Sequence, residues 1–251
     1  MPRFFIEPGQ IQNKSDTVLI TGTEAHHITR VLRLGPGAGV TLLDGCGNQY
    51  AGVIEKTDKG SVRCRVLKQG PAGGEPPVRV VLVQGIAKGE RMDYVIQKGT
   101  ELGAAAYLPV YCRRSVVRLD GKKEATRRER WQRIALEAAK QCGRGVVPLV
   151  HEPADWGQVL SAIPTGALVL VPWEEEMSRS LKKELKGRPR PKEVYILIGP
   201  EGGLEKHEVD QACERGAIPV TLGPRILRTE TAGPAVIAMV LYQWGDLGGE
   251  G

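Results

Sequence analysis

The sequence predicts an α/β protein in two parts: a small β-rich domain, residues 1–72, and a larger α/β domain with a mostly parallel sheet, residues 73–251. Three observations carry this. The stretch QGPAGGEPPV, Gln69 to Val78, holds structure-punctuating residues with little to pack and reads as a linker. Before it, apolar and polar residues alternate at short period. After it, apolar runs alternate with stretches of helical period.

In the first part, VTLLD and QYAGVIE flank Gly45-Cys46-Gly47-Asn48, a hairpin turn, and SVRCRVL sets Val62, Cys64 and Val66 against Arg63 and Arg65. One short helix interrupts these strands near Glu24 to Arg33, and the whole reads as a compact barrel. In the second part, RVVLVQG leads to a helix from about Glu90 to Leu102 with Met92, Val95 and Ile96 on one face. AAYLPVY follows, then a long helix around Glu124 to Cys142 carrying Trp131, Ile134 and Ala138. VVPLV, ALVLVPW, EVYILIG and IPVTL are further strands, and the chain closes on PAVIAMVLYQWG, apolar nearly all round. Strand–helix alternation implies a parallel sheet covered on both faces. A terminal helix without a polar face needs a partner, within the domain or across a dimer.

Composition excludes several classes. No apolar run approaches the ~20 residues of a membrane span, and MPRFFIEPGQ lacks the pattern of a signal peptide, so the expected location is cytoplasmic. The five cysteines are scattered without a CxxC pair or a Cys/His cluster, which argues for free thiols and against metal. Net charge is +6, and between Arg113 and Arg144 eleven Lys/Arg stand against four Asp/Glu. A second basic stretch is SRSLKKELKGRPRPK. Such clustering suits a polyanion, although a charge run alone is also a solvated helix face.

Two glycine-rich loops carry the chemistry. One, Gly199-Pro200-Glu201-Gly202-Gly203, follows the strand YILI, and the other runs from Gly223 to Glu230 after VTL. In open α/β sheets ligands bind at the carboxyl ends of strands, where both loops lie. Gly202 and Gly203 let backbone amides approach a ligand, and Thr229 or Thr231 is a candidate cap for the last helix. Neither GxGxxG nor GxxxxGK[ST] is present, which argues against a dinucleotide dehydrogenase or a P-loop NTPase. From the residues alone the reading is a small-molecule site beside basic residues.

IGPEGG followed by LGPRILRTETA resembles the signature of the SPOUT-superfamily methyltransferases that make N3-methyluridine in small-subunit (16S) ribosomal RNA. MPRFF, HHITRVLRLGPG, KGERMDYVIQKGTELGAAAYLPV and RWQRIALEAAKQCGRGVVP resemble family segments in the same order, and LVPWEEE is a loose version of the first cofactor loop. The resemblance implies a PUA-like β-barrel that binds RNA, a C-terminal α/β domain with a deep trefoil knot, S-adenosylmethionine as cofactor and a homodimer. It implies a pocket formed by Ile198, Gly199, Glu201, Gly202 and Gly203, by Leu222, Gly223, Ile226, Leu227, Arg228 and Thr231, and by Val171 and Pro172 at a third loop. A different RNA base, a ribose, or a non-catalytic assembly role are the competing readings.

Methyl transfer is an in-line displacement, and the uracil nitrogen must lose its proton to present a lone pair. A guanidinium on a uracil carbonyl oxygen would stabilise that anion, which makes Arg228 the first catalytic candidate. Glu201 is a candidate base or a loop brace; bracing is favoured, since a carboxylate capped by loop amides is a weak base. Arg3, Arg30 and Arg33 are expected RNA-backbone contacts, the last two sharing a helix face. Arg113, Arg114 and Arg144 are expected to extend that footprint. Lys98 and Glu101 are expected to pair with each other, and His207 to lie at the surface.

Overall fold

The computed structural model describes residues 1–7, 10–12, 16–117 and 121–249; Arg118 and Asp120 of the basic stretch fall outside them. The chain forms two compact units, residues 1–75 with 139–147, and residues 76–138 with 148–251.

The first unit is a six-stranded, curled half-barrel sheet. Its strands are β1 (Arg3–Phe5), β2 (Ile11–Gln12), β3 (Thr17–Thr21), β4 (Gly39–Leu43), β5 (Asn48–Asp58) and β6 (Ser61–Pro71). Their order is β1-β4-β5-β6-β3-β2, antiparallel except for β1 against β4. The expected hairpin joins β4 to β5. Its turn is shaped by the Asp44 carboxylate, which accepts from the Cys46 and Asn48 amides at 2.8 and 3.0 Å. Val18, Ile20, Val62 and Cys64 point inward with Phe4, Leu42 and Ile54, as the alternation requires. Burial pushes the Cys64 thiol up to about 11, so it is a packing residue and not a nucleophile.

Helix α1 (Gly22–His26) runs into one π-helical turn that ends at Val31. Arg33 lies beyond it with φ +52°. The helix therefore stops short of the expected Arg33, and the shared-face argument for Arg30 and Arg33 fails, although both side chains are exposed.

The second unit holds a parallel sheet. Its strands are β7 (Arg79–Gly85), β8 (Ala106–Tyr111), β9 (Leu149–Val150), β10 (Ala154–Asp155), β11 (Leu168–Pro172), β12 (Glu193–Ile198) and β13 (Ile218–Val220). The order is β10-β8-β7-β12-β11-β13, with β9 also on β8. The helices are α2 (Arg91–Leu102), α3 (Gly121–Cys142), α4 (Trp156–Ala162), α5 (Leu181–Lys186), α6 (Lys206–Glu214) and α7 (Thr229–Trp244). Val80 to Val83 and Val194 to Ile198 are buried without alternation, as central parallel strands should be. VVPLV yields only the two-residue β9. Val146 and Val147 instead bond to the β4–β5 turn, Val147 N–H donating to Gly45 at 3.0 Å.

The path at one sheet edge positions the site. The chain leaves β11, moves inward to β12, then crosses back to β13 outside β11. From there it returns to the centre, where α7 packs on α2, β7 and β12. Within the domain, α7 buries Val236, Ile237, Val240, Leu241 and Trp244. Tyr242 remains 74% exposed.

Candidate active site

The carboxyl ends of β11, β12 and β13 open onto two adjoining cavities of about 480 and 440 Å³. Both glycine-rich loops form their walls. Close packing starts at Gly85, where β7 ends: a Cβ there would stand 2.5 Å from the Pro200 nitrogen. The missing side chain lets the β12 loop lie directly on β7. The loop then turns tightly, Gly203 N–H donating to Pro200 at 2.9 Å with Gly203 at φ +72°.

A buried clip joins the second loop to the first. The Gln84 amide donates to Thr229 Oγ1 at 2.8 Å, and Thr229 Oγ1 donates to the Gly199 carbonyl at 2.6 Å. Thr229 holds the start of α7 against the end of β12. Replacing it with valine keeps the shape and removes both bonds, leaving buried polar groups unanswered at a cost of about 1–3 kcal/mol. The expected result is a clearly lower unfolding midpoint for Thr229→Val, with Thr229→Ser near wild type. Equal midpoints for the three proteins would mean that the clip carries no stability.

Glu201 is engaged from two sides. Its Oε1 accepts from the Lys88 amide and from Arg91 Nη1, both at 2.8 Å. Arg91 also stands 3.5 Å from Glu230 in the first turn of α7, so one guanidinium spans both glycine-rich loops. Glu201 thus occupies a bracing position. Arg228 is exposed at the N-cap of α7, and among the described residues its guanidinium has no hydrogen-bond or ion-pair partner.

The loop after β11 is fixed by its own acid. Glu176 accepts from the Ser178 hydroxyl and amide at 2.7 Å and from the Arg179 amide at 2.9 Å. The Ser178 hydroxyl foremost, then the backbone amides, hold its carboxyl at about 2. A carboxyl so lowered keeps the brace above its ordinary titration range and loses it only as pH falls toward 2.

Most expected pocket residues meet here. Pro172, Leu222, Gly223, Ile226 and Leu227 line one cavity, and Ile198, Gly199, Glu201, Gly202, Gly203 and Arg228 line the other. Two expected residues do not. Val171 is fully buried within β11, one residue short of the rim. Thr231 faces solvent in the first turn of α7, and Thr229 takes the inward position. Neither threonine caps the helix by its side chain; the cap position is Arg228. Ile226, 86% exposed, is wall and not core. The sequence reading missed Glu174, Arg91 and Gln84.

The expected cationic residues separate in kind. Arg3 is exposed and donates to the Gly143 carbonyl at 2.9 Å. Arg114 donates to Gly202 at 2.9 Å, and the Arg113 amide holds Glu208. Arg144 is the correction. It is 4% exposed and bonded to Glu75 at 2.6 Å, so its charge is spent inside the first unit and not offered to RNA. Lys98 and Glu101 pair at 2.8 Å, and His207 is exposed. Among the described residues no group of three or more His, Cys, Asp or Glu is placed to hold a metal, and no helix is long and apolar enough to cross a membrane.

Residues 74–241 match the family model of the RNA methyltransferase domain. The chain belongs to that family. The methyltransferase domain is preceded by a match to the RNA methyltransferase PUA domain over residues 20–67. The chain is 36% identical to the ribosomal RNA small subunit methyltransferase E of Bacillus subtilis, with all of both chains covered. It is 33% identical to the protein of that name from Synechocystis, covering 95% of this chain and 76% of the relative. Among solved structures it is similar to ribosomal RNA small subunit methyltransferase E from Neisseria gonorrhoeae bound to S-adenosyl methionine. The TM-score is 0.85 and the identity 36%, with 98% of this methyltransferase and 99% of that chain covered.

Proposed function

We propose that the protein transfers a methyl group from S-adenosylmethionine to N3 of a uridine in 16S ribosomal RNA, within the small subunit, as a cytoplasmic homodimer. The observation that carries this is the meeting of two glycine-rich loops around adjoining cavities whose rim presents the Arg228 guanidinium, without a partner among the described residues. The cleft fits the cofactor. Pro172, Leu222 and Leu227 offer apolar wall for an adenine. Gly203 sits at φ +72°, where a side chain is strained, and a Cβ there would also meet the Glu174 carboxylate.

When bound, the cofactor supplies an electrophilic methyl on a good leaving group. The chain does the rest. The loops, held together by the Gln84–Thr229 clip and by Arg91, fix the direction of approach, so positioning supplies much of the rate. Arg228 lines the cleft with an exposed guanidinium and would hold the developing negative charge on a uracil carbonyl oxygen. Glu201, bonded by the Lys88 amide and the Arg91 guanidinium, holds the two loops in register. The homodimer reading is supported by an apolar groove between α5 and α7, floored by the buried Leu181 and Leu185, where exposed Met239 and Tyr242 present a surface suited to a second copy.

The deciding experiment is mass analysis of 16S ribosomal RNA nucleosides from cells with and without the gene. N3-methyluridine is expected to disappear; loss of a ribose-methylated nucleoside in its place would overturn the assignment. RNA binding by the first unit should be electrostatic. Neutralising one phosphate contributes roughly 0.7–0.9 to the slope of log affinity against log salt. Arg30→Ala is therefore expected to weaken binding uniformly across RNA sequences and to reduce that slope by about one. A slope unchanged from wild type would remove Arg30 from the interface.

A further inference from the structure

The two cavities adjoin, and five residues line both: Pro172, Glu174, Ile226, Leu227 and Ala232. Only Glu174 is charged. Two more carboxylates line the cavity beside the β12 loop, and both are engaged. Glu201 accepts from Lys88 and Arg91, and Glu230 faces Arg91. Glu174 has no hydrogen-bond or ion-pair partner among the described residues. Its position is nonetheless fixed. Trp173 N–H, one residue before, donates to Val220 at 3.1 Å, and Glu176 clamps the turn that follows. The carboxylate itself rests over Gly203, in the space that a side chain there would take. The loop therefore delivers a carboxylate with no ion-pair partner among the described residues to the lining shared by the two cavities, whose walls also carry Arg225 and Arg228.

We propose that Glu174 is the counter-charge to the sulfonium of the methyl donor, and so the residue by which the site tells the cationic donor from its neutral thioether product. The inference rests on the functional reading above and deepens it. The donor has a nucleoside arm and an amino-acid arm joined at sulfur, so a molecule filling both cavities would bring its sulfur near the lining they share. In the transfer, the carbon–sulfur bond breaks and its electron pair stays on sulfur. A bond forms from the uracil N3 lone pair to the methyl carbon, after the N3 proton has passed to solvent. Sulfur loses its charge in that step. Attraction to a carboxylate in that shared lining exists before transfer and vanishes after it, which favours donor entry and product release.

Calorimetric titration of wild type and Glu174→Gln with S-adenosylmethionine and, separately, with S-adenosylhomocysteine tests this without any turnover. Glutamine keeps the size of the side chain and removes its charge, and residue 174 is exposed, so the fold is not at stake. The variant is expected to lose about tenfold in donor affinity and to keep its product affinity within about twofold, the scale of one partly screened charge pair. The wild-type preference for donor over product should also shrink as salt is raised, and that of the variant should not. Equal losses for both ligands would place Glu174 on an arm that donor and product share, and would overturn the proposal, as would unchanged affinity for both. A wild-type protein that binds neither ligand would overturn the functional reading, and this inference with it.

Discussion

Arg228→Ala is expected to bind S-adenosylmethionine with near wild-type affinity and to lose about 10²–10³ in single-turnover methyl transfer, the usual cost of removing one donor from an oxyanion site. The expectation follows from placement. Arg228 stands at the N-cap of α7 on the rim, exposed and without a partner among the described residues, so no ion pair inside the protein is broken by its removal. Its planar, delocalised guanidinium offers fixed donors to a carbonyl oxygen. Without it, the uracil anion is stabilised by water alone. Raising the pH should then recover part of the lost rate, because solvent helps to remove the N3 proton. Rapid-quench transfer assays at saturating RNA, run across pH, make the measurement. Normal transfer by the variant under those conditions would reduce Arg228 to a binding residue.

Gly203→Val is expected to abolish measurable donor binding, a loss of at least about 100-fold. Two effects act together at this position. The backbone is at φ +72°, where a side-chain-bearing residue costs roughly 1–2 kcal/mol and a β-branched one is a clear outlier. The new Cβ would also fall on the Glu174 carboxylate and displace it. Gly202, its neighbour, supplies the control. It has no positive φ, and a Cβ there would meet Arg114, its Cβ at 3.0 Å and its carbonyl oxygen at 3.6 Å. Gly202→Ala should be the milder change in the same titration. Donor affinity preserved in Gly203→Val would mean that the cleft described is not the cofactor site.

The sequence made some features plain because burial leaves a pattern. β7 and β12 are covered on both faces, so each is a continuous apolar run, and the glycine-rich loops after β12 and β13 stand out as breaks. Features that depend on long-range placement were not legible. Glu174 belongs to WEEE, which reads as a solvated acidic run, and only the folded loop shows one acid turned to the cleft while Glu176 is spent as a brace. Arg144 lies in a basic stretch, and nothing local reveals that Glu75 buries it. Thr231 was taken for Thr229 because the phase of α7 is set by packing on α2, which a helix apolar nearly all round does not disclose. β9 is shorter than VVPLV suggests because residues 146–147 bond to a turn some hundred positions earlier in the chain.

The first unit's dependence on residues 139–147 bears on how the protein is made. A ribosome delivers residues 1–75 first, with every strand of the curled sheet included. Arg144 and the Gly143 carbonyl that Arg3 binds emerge only after residues 76–138 have been synthesised, a delay of several seconds at about 5–20 residues per second. During that interval Glu75 has no guanidinium to bind and the β4–β5 turn has no Val147 amide against it. The nascent first unit is thus finished by a segment of the chain that arrives late, so its release as an independent fragment at the linker would leave it short of its closing contacts.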